Sequence, residues 1–211
     1  MNHQGLLVSF EGGEAVGKST QIKLLFKALK KKGYKVYLTR EPGGTRLGEK
    51  IRKLVKTQNM SIEAELFLIE ASRSELVDKE ILPRLKKSEV VLCDRFQESS
   101  LVYQSLLGGI AWKSVKDLNQ LATQGLKSDL VVWLDLPEKA LKGRLRKRSK
   151  KPKKDKFDSR DFEFHSRLLR AYRKLAAKQK SPPIKRFRAD QSETALHKQI
   201  LKEVEKRLKS R

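Results

Sequence analysis

The chain is poor in several things, and each shortage closes off a class of protein. A single cysteine, Cys93, cannot form an internal disulfide, and its place in the apolar run VVLC predicts a small buried core residue, in keeping with a reducing cytoplasm. No apolar run approaches the roughly 18 residues of a membrane-spanning helix, so no membrane partner is expected. The opening stretch LLVSF is too short for the core of a secretory signal and runs directly into glycines, so nothing directs export. No repeat of fixed period is present. Aromatic residues make up only 7% of the sequence and few fall among its basic residues; with no RNA-binding signature either, no specific nucleic-acid partner is expected.

Positive charge is what the chain has in excess. The formal net charge is +24, and residues 139 to 188 hold 21 of the 49 Lys and Arg against only 4 acids. Such a segment attracts polyanions of any kind, which bears on encounter and solubility before function. Its most biased piece, SKKPKKDK at 149 to 156, has no apolar residue and contains a proline, which predicts a mobile loop between two helices.

A chain of 211 residues suffices for one α/β domain with a sizeable core. The short apolar runs LLVSFE, VYLT, VVLCD, DLVVWLDL and IKRFRA each precede a longer helical pattern. That alternation predicts parallel strands with crossover helices, a three-layer α/β fold. The first helix is expected from Lys18, with Ile22, Leu25, Phe26 and Leu29 on one face and Gly33 as its stop. A second is expected from about Glu63 to Lys86, and a polar amphipathic helix from Ser192 onward.

Between the first strand and the first helix lies GGEAVGKST, residues 12 to 20, which matches G-x-x-x-x-G-K-[ST]. Glycines let the backbone curl so that successive N–H groups converge, and the helix N-terminus adds partial positive charge, which together seat phosphates. Gly12, Gly13, Glu14, Ala15, Val16, Gly17, Lys18, Ser19 and Thr20 are therefore the candidate nucleoside triphosphate loop, with Lys18 on the β and γ phosphates and Ser19 on Mg²⁺. The alternative is a glycine-rich turn that binds nothing. VVLCDR, residues 90 to 95, places Asp94 and Arg95 at the C-terminal end of another buried strand, where ligands sit in an open parallel sheet. Asp94 can face the metal and Arg95 the phosphates; the plainer reading of Asp94 is a helix cap.

Further motifs follow in order: TREPGGT (39 to 45), LGEKIRKL (47 to 54), AELFLIEASR (64 to 73), DRFQESSLVYQ (94 to 104), LNQLATQGLKSDLVVWLDL (118 to 136) and DKFDSRDFEFHSRLLRAY (155 to 172). With the phosphate loop they closely resemble the bacterial thymidylate kinase family over nearly the whole chain. That resemblance implies a single P-loop kinase domain over residues 1 to 211, a five-stranded parallel sheet flanked by helices, ATP and dTMP as substrates, Mg²⁺, and a homodimer. It implies that Arg52 and Arg95 hold the acceptor phosphate, Arg73 the thymine edge, and Tyr103 and Gln104, with Ser99 nearby, the sugar and base. Glu14 would approach the deoxyribose hydroxyl and the Pro42-Gly43-Gly44 turn would line the acceptor cavity. Planar guanidinium forks suit phosphate oxygens and carbonyl edges, which supports three separate arginines in these roles.

The chemistry asks for no general base, because a phosphate monoester with a second pKa near 6 is mostly dianionic at pH 7. The scattered His3, His165 and His197 are therefore no argument against a kinase. The family divides by whether a catalytic arginine lies in the phosphate loop or in a mobile lid, and this loop carries none. A lid at about residues 143 to 158 must then supply it, with Arg144 and Arg148 as candidates and Arg146 next. Three positions depart from the family pattern. Ile69 stands where an aromatic commonly stacks on thymine, leaving an aliphatic wall or one supplied by Phe67; Ala15-Val16 replaces Gly-Ala, which requires an ordinary backbone region for Ala15; and Lys156 replaces a lid arginine. The rivals are another deoxynucleotide or nucleoside kinase on the same frame, and a nucleic-acid-binding protein with a degenerate phosphate loop.

Overall fold

The strands are built from runs that are apolar on both faces, as a parallel sheet covered by helices requires. In the computed structural model, which describes residues 4–149, 160–179 and 181–210 and not the side chains of 148 and 149, these are β1 (Leu6–Glu11), β2 (Val36–Arg40), β3 (Val90–Asp94), β4 (Leu130–Asp135) and β5 (Ile184–Arg188). They form one all-parallel sheet in the order β2-β3-β1-β4-β5, as expected.

Alternation along each strand sorts side chains between two cores. Leu6, Val8 and Phe10 of β1, with Val90 and Leu92 of β3, pack toward α1 (Lys18–Lys31) and α9 (Glu193–Lys209). Leu7, Val91 and Cys93 point to the opposite layer, against the run from Leu76 to Leu85. Ile22, Leu25 and Leu29 are the buried apolar members of α1, each contributing about 1.5–3 kcal/mol by leaving water. Gly33 follows with a φ of +86 and closes the turn. Cys93 is fully buried, and burial raises its thiol pKa well above the ordinary value, which makes it the inert core residue expected.

The helix anticipated from Glu63 to Lys86 is one run in three parts. α3 (Ile62–Leu76), capped by Ser61, passes through a π-helical turn at Val77–Ile81 into α4 (Leu82–Lys86). Pro83 has no amide to donate and its ring crowds the preceding turn, so the widened turn falls just ahead of it. A second π-helical turn, Leu101–Leu107, continues α5 (Gln97–Ser100). The remaining helices are α2 (Arg46–Thr57), α6 (Trp112–Ala122), α7 (Glu138–Ser149) and α8 (Phe162–Lys178). The loop expected at 149 to 156 lies outside the described residues apart from Ser149, the last residue of α7, and Lys156 falls outside them too.

In the register, Phe10 stands opposite Asp94 on β3, and Asp94 opposite Arg40 on β2. The C-terminal ends of three strands are therefore level, and everything that follows them opens on one edge of the sheet.

Candidate active site

The phosphate loop leaves β1 at Glu11 and enters α1 at Lys18. Gly12 (φ +135) and Gly17 (φ +99) hold conformations that L side chains avoid, and a Cβ on Gly12 would also lie 2.6 Å from the carbonyl oxygen of Leu134. The ordinary conformation expected for Ala15 is incorrect: its φ is +58, in the left-handed region. The loop must reverse before the helix, and a methyl group tolerates this at a cost of about 1–2 kcal/mol. Lys18 is buried, and its ammonium donates back across the loop to the carbonyls of Gly12 and Gly13 at 2.9 and 2.7 Å. Burial, with Arg95 adding repulsion, lowers its pKa to about 8. Ser19 and Thr20 are exposed on the first turn of α1.

Level with this loop, β3 delivers Asp94 and Arg95. Arg95 has a φ of +75, held by its amide donating to the Phe10 carbonyl at 3.0 Å, and this bend turns its guanidinium over the phosphate loop. There Nη2 pairs with Glu14 at 2.7 Å, and Nη1 donates to the Gly12 carbonyl, Ser99 and Tyr172 at 3.3, 3.2 and 3.1 Å. Ser99 and Tyr172 in turn donate to Glu11, each at 2.8 Å, so their lone pairs are left for the guanidinium. Burial raises the pKa of Glu11, although Arg95 and these hydrogen bonds oppose it. Glu11 and Tyr172 were not singled out from the sequence, although Tyr172 ends the last of the ordered motifs.

Between these elements lies a cavity of about 360 Å³. It gathers Glu14, Lys18, Ser19, Pro42, Arg52, Ile69, Arg73, Asp94, Arg95, Ser99, Tyr103 and Gln104, residues drawn from five separate stretches of chain. The wall at position 69 is aliphatic, because Ile69 lines the cavity while Phe67 is 60% exposed on the outside of α3. Arg52 donates to the Pro42 carbonyl at 2.9 Å, and the Arg95 guanidinium lies 5.2 Å from the centre of the Tyr103 ring. Arg73 is enclosed by protein: Nε donates to Glu41, Nη1 to Glu70, Ser100 and Asn119, and Nη2 to the Phe96 carbonyl. Burial raises the pKa of Glu41 to about 7, the Arg73 charge opposing and the Glu70 charge reinforcing that rise. Arg40, Glu41, Lys56 and Glu65 also line the cavity without having been identified. Arg40 and Glu41 stood inside TREPGGT; Glu65 stood inside AELFLIEASR, whereas Lys56 lies just beyond LGEKIRKL and in no motif.

Of the lid-side candidates, Arg144 lies within α7, where Nη1 donates to the Ala15 and Val16 carbonyls at 3.4 and 3.1 Å and Nη2 to Ala189 at 2.5 Å. It braces the outer side of the phosphate loop. The backbone of Arg148 is in the last turn of α7 and its side chain lies outside the described residues.

With this geometry in place, three comparisons agree. The thymidylate kinase family profile matches residues 10–200. The chain is 41% identical over 211 residues to a thymidylate kinase of Caldanaerobacter subterraneus, covering 98% of both chains, and 46% identical over 175 residues to one of Dehalococcoides mccartyi, covering 82% of this chain and 83% of that one. The chain belongs to the thymidylate kinase family. The crystal structure of a thymidylate kinase from Ehrlichia chaffeensis superposes with a TM-score of 0.74 at 29% identity, over 95% of this chain and 98% of that one.

A thymidylate kinase is an ATP-dependent nucleoside monophosphate kinase, and its site must bring two anions end to end without letting them repel. Here a phosphate loop and an arginine meet across the ends of adjacent strands, with a cavity beyond the arginine. Among the described residues no helix is long and apolar enough to cross a membrane, and no three His, Cys, Asp or Glu gather into a metal cluster.

Proposed function

We propose that this chain transfers the γ-phosphoryl of ATP to dTMP, giving ADP and dTDP for dTTP synthesis, as a single cytoplasmic kinase domain that acts as a homodimer with Mg²⁺. The carrying observation is that the phosphate loop and the 360 Å³ cavity open on the same sheet edge with Arg95 between them. In this reading residues 12 to 20 cradle the ATP phosphates, and Lys18 turns from the loop carbonyls onto the β and γ oxygens. Arg52 and Arg95 hold the acceptor phosphate, Glu14 approaches the sugar hydroxyl, and Pro42, Ile69, Ser99, Tyr103 and Gln104 enclose the nucleoside. Arg73, whose donors already have protein acceptors, frames the base end; contact with the thymine edge draws on Nη1, which serves three acceptors with two protons.

The dianionic acceptor needs no proton removed, so the side chains position and neutralise. The donor set suits Mg²⁺: Asp94 Oδ1 is buried without a hydrogen-bond partner among the described residues, and Ser19 lines the same cavity, so both can offer hard oxygen ligands. The metal, when bound, neutralises phosphate oxygens. Arg144 and Arg148, on the helix that leads into residues 150 to 159, supply the lid-side positive charge. The exposed Leu47 and Leu54 of α2, Phe67 of α3 and Leu121 of α6 support a homodimer, since α3 packs against both other helices.

An ADP-release assay across nucleoside monophosphates tests the reading. Strong stimulation by dTMP is expected; stimulation by another acceptor with none by dTMP would overturn it.

A further inference from the structure

The cavity contains one polar atom whose direction is decided by a neighbour. Gln104, on the π-helical turn Leu101–Leu107, is 2% exposed and lines the acceptor cavity. A primary amide has an accepting oxygen and a donating nitrogen of almost the same shape, so its orientation is set by its partners. Its Nε2 donates to Glu65 Oε1 at 3.0 Å. A carboxylate only accepts, so reversing the amide would set oxygen against oxygen. Gln104 Oε1 is thereby turned away from Glu65, and it is buried without a hydrogen-bond partner among the described residues.

We propose that Glu65 is a positioning residue that fixes Gln104 with its carbonyl oxygen toward the acceptor base, so that the site accepts a base presenting a ring N–H and rejects cytosine. This rests on the acceptor-cavity reading given above. Thymine and uracil carry a proton on N3, which satisfies the orphaned oxygen. Cytosine carries a lone pair there, which would meet the lone pairs of the buried Oε1. A site built to hydrogen-bond one group discriminates strongly against an analogue that lacks it, because its own buried atom is then left unpaired. Gln104 makes the contact, and Glu65 decides which end of the amide makes it. Glu65 is itself placed by its helix: its amide donates to the Ser61 carbonyl at 3.0 Å, and the Ser61 side chain caps α3 through Ala64.

Glu65→Gln has nearly the same shape but can donate or accept, so it no longer dictates the orientation of Gln104. The experiment compares kcat/KM for dTMP, dCMP and N3-methyl-dTMP in the full chain, with ATP affinity and melting temperature as controls. The expected result is a fall of about tenfold or more in the dTMP to dCMP ratio, carried mainly by KM, together with a smaller penalty for N3-methylation and unchanged ATP affinity. A parallel loss for dTMP and dCMP, leaving the ratio unchanged, would overturn the proposal. If Glu65→Gln does not melt cooperatively, Glu65→Asp, which withdraws the acceptor by one methylene, is read by the same ratio. Gln104→Met separates the two layers of the argument: if it leaves the dTMP KM and the ratio untouched, the acceptor-cavity reading itself fails. If it lowers the ratio while the Glu65 variants do not, only the positioning role is lost.

Discussion

Two arginines line the same cavity and are held in opposite ways. Arg73, at the base end, is 1% exposed and lies between Glu41 and Glu70, with Ser100, Asn119 and a backbone carbonyl taking its other protons. Two carboxylates outweigh one guanidinium, so this end offers no surplus positive charge to an anion. Arg95, at the phosphate end, is 16% exposed, pairs directly with Glu14 alone among the described residues, and shares its site with the Lys18 ammonium. Its other contacts are hydroxyls and a carbonyl, which orient the fork without cancelling its charge. Burial of an arginine therefore does not by itself mark a phosphate site; what matters is whether its partners are charged.

That contrast can be broken at either end, and the phosphate end gives the largest effect. Lys18→Ala is expected to lower turnover by about 10⁴-fold with an unchanged melting temperature, since chemistry here is charge neutralisation and Lys18 packs against its own loop. Near-normal turnover would refute the phosphate assignment. Arg73→Met shifts the damage from rate to stability. Two buried carboxylates lose their counter-charge, so denaturant unfolding should show a loss of about 3–5 kcal/mol. A variant that melts normally but turns over slowly would place Arg73 with Arg95 instead.

The pKa shifts at the two ends run in opposite directions, yet both effects fade as pH rises. Lys18, with its pKa lowered to about 8, must be charged to hold a triphosphate, so binding takes up a proton above that pH. ATP affinity by calorimetry should therefore weaken as pH rises through 8, by about tenfold per unit. Glu41, raised to about 7 from 4.5, binds a proton in the folded chain where the unfolded chain does not. Its contribution to stability is fully present below about pH 4.5 and is lost as pH rises through about 7, so melting temperature should fall between about pH 4.5 and 7 and level off above, and Glu41→Gln should flatten the fall. The smallest effect tests the support beneath the base end. Ser61→Ala removes the cap of α3 and should cost about 1 kcal/mol in denaturant unfolding, with turnover little changed.

Much of the frame was legible because it depends on local pattern. Apolar runs before helical periods imply parallel strands, and the glycine spacing at 12 to 17 with Lys18 implies a phosphate seat, since few other residues can follow that backbone. The resemblance borne by the ordered motifs implied one acceptor site for Arg52, Arg73, Arg95 and Gln104, and all four line the same cavity. Ala15 and Arg95 both adopt positive φ, which composition does not signal, because neither residue favours it and only the surrounding hydrogen bonds enforce it. Glu11 and Tyr172, 161 residues apart, meet through a single hydrogen bond that no spacing could indicate.

The order of residues by itself determined the layers of the fold and the phosphate loop, because each follows from short-range chemistry along the chain, and its ordered motifs carried the resemblance to the family. The tertiary structure alone decided which charges cancel and which remain, that Arg73 is enclosed while Arg95 overhangs the loop, and which way the Gln104 amide points. Those outcomes depend on distances between groups far apart in sequence, and electrostatic and hydrogen-bond energies among buried groups change within a few ångströms.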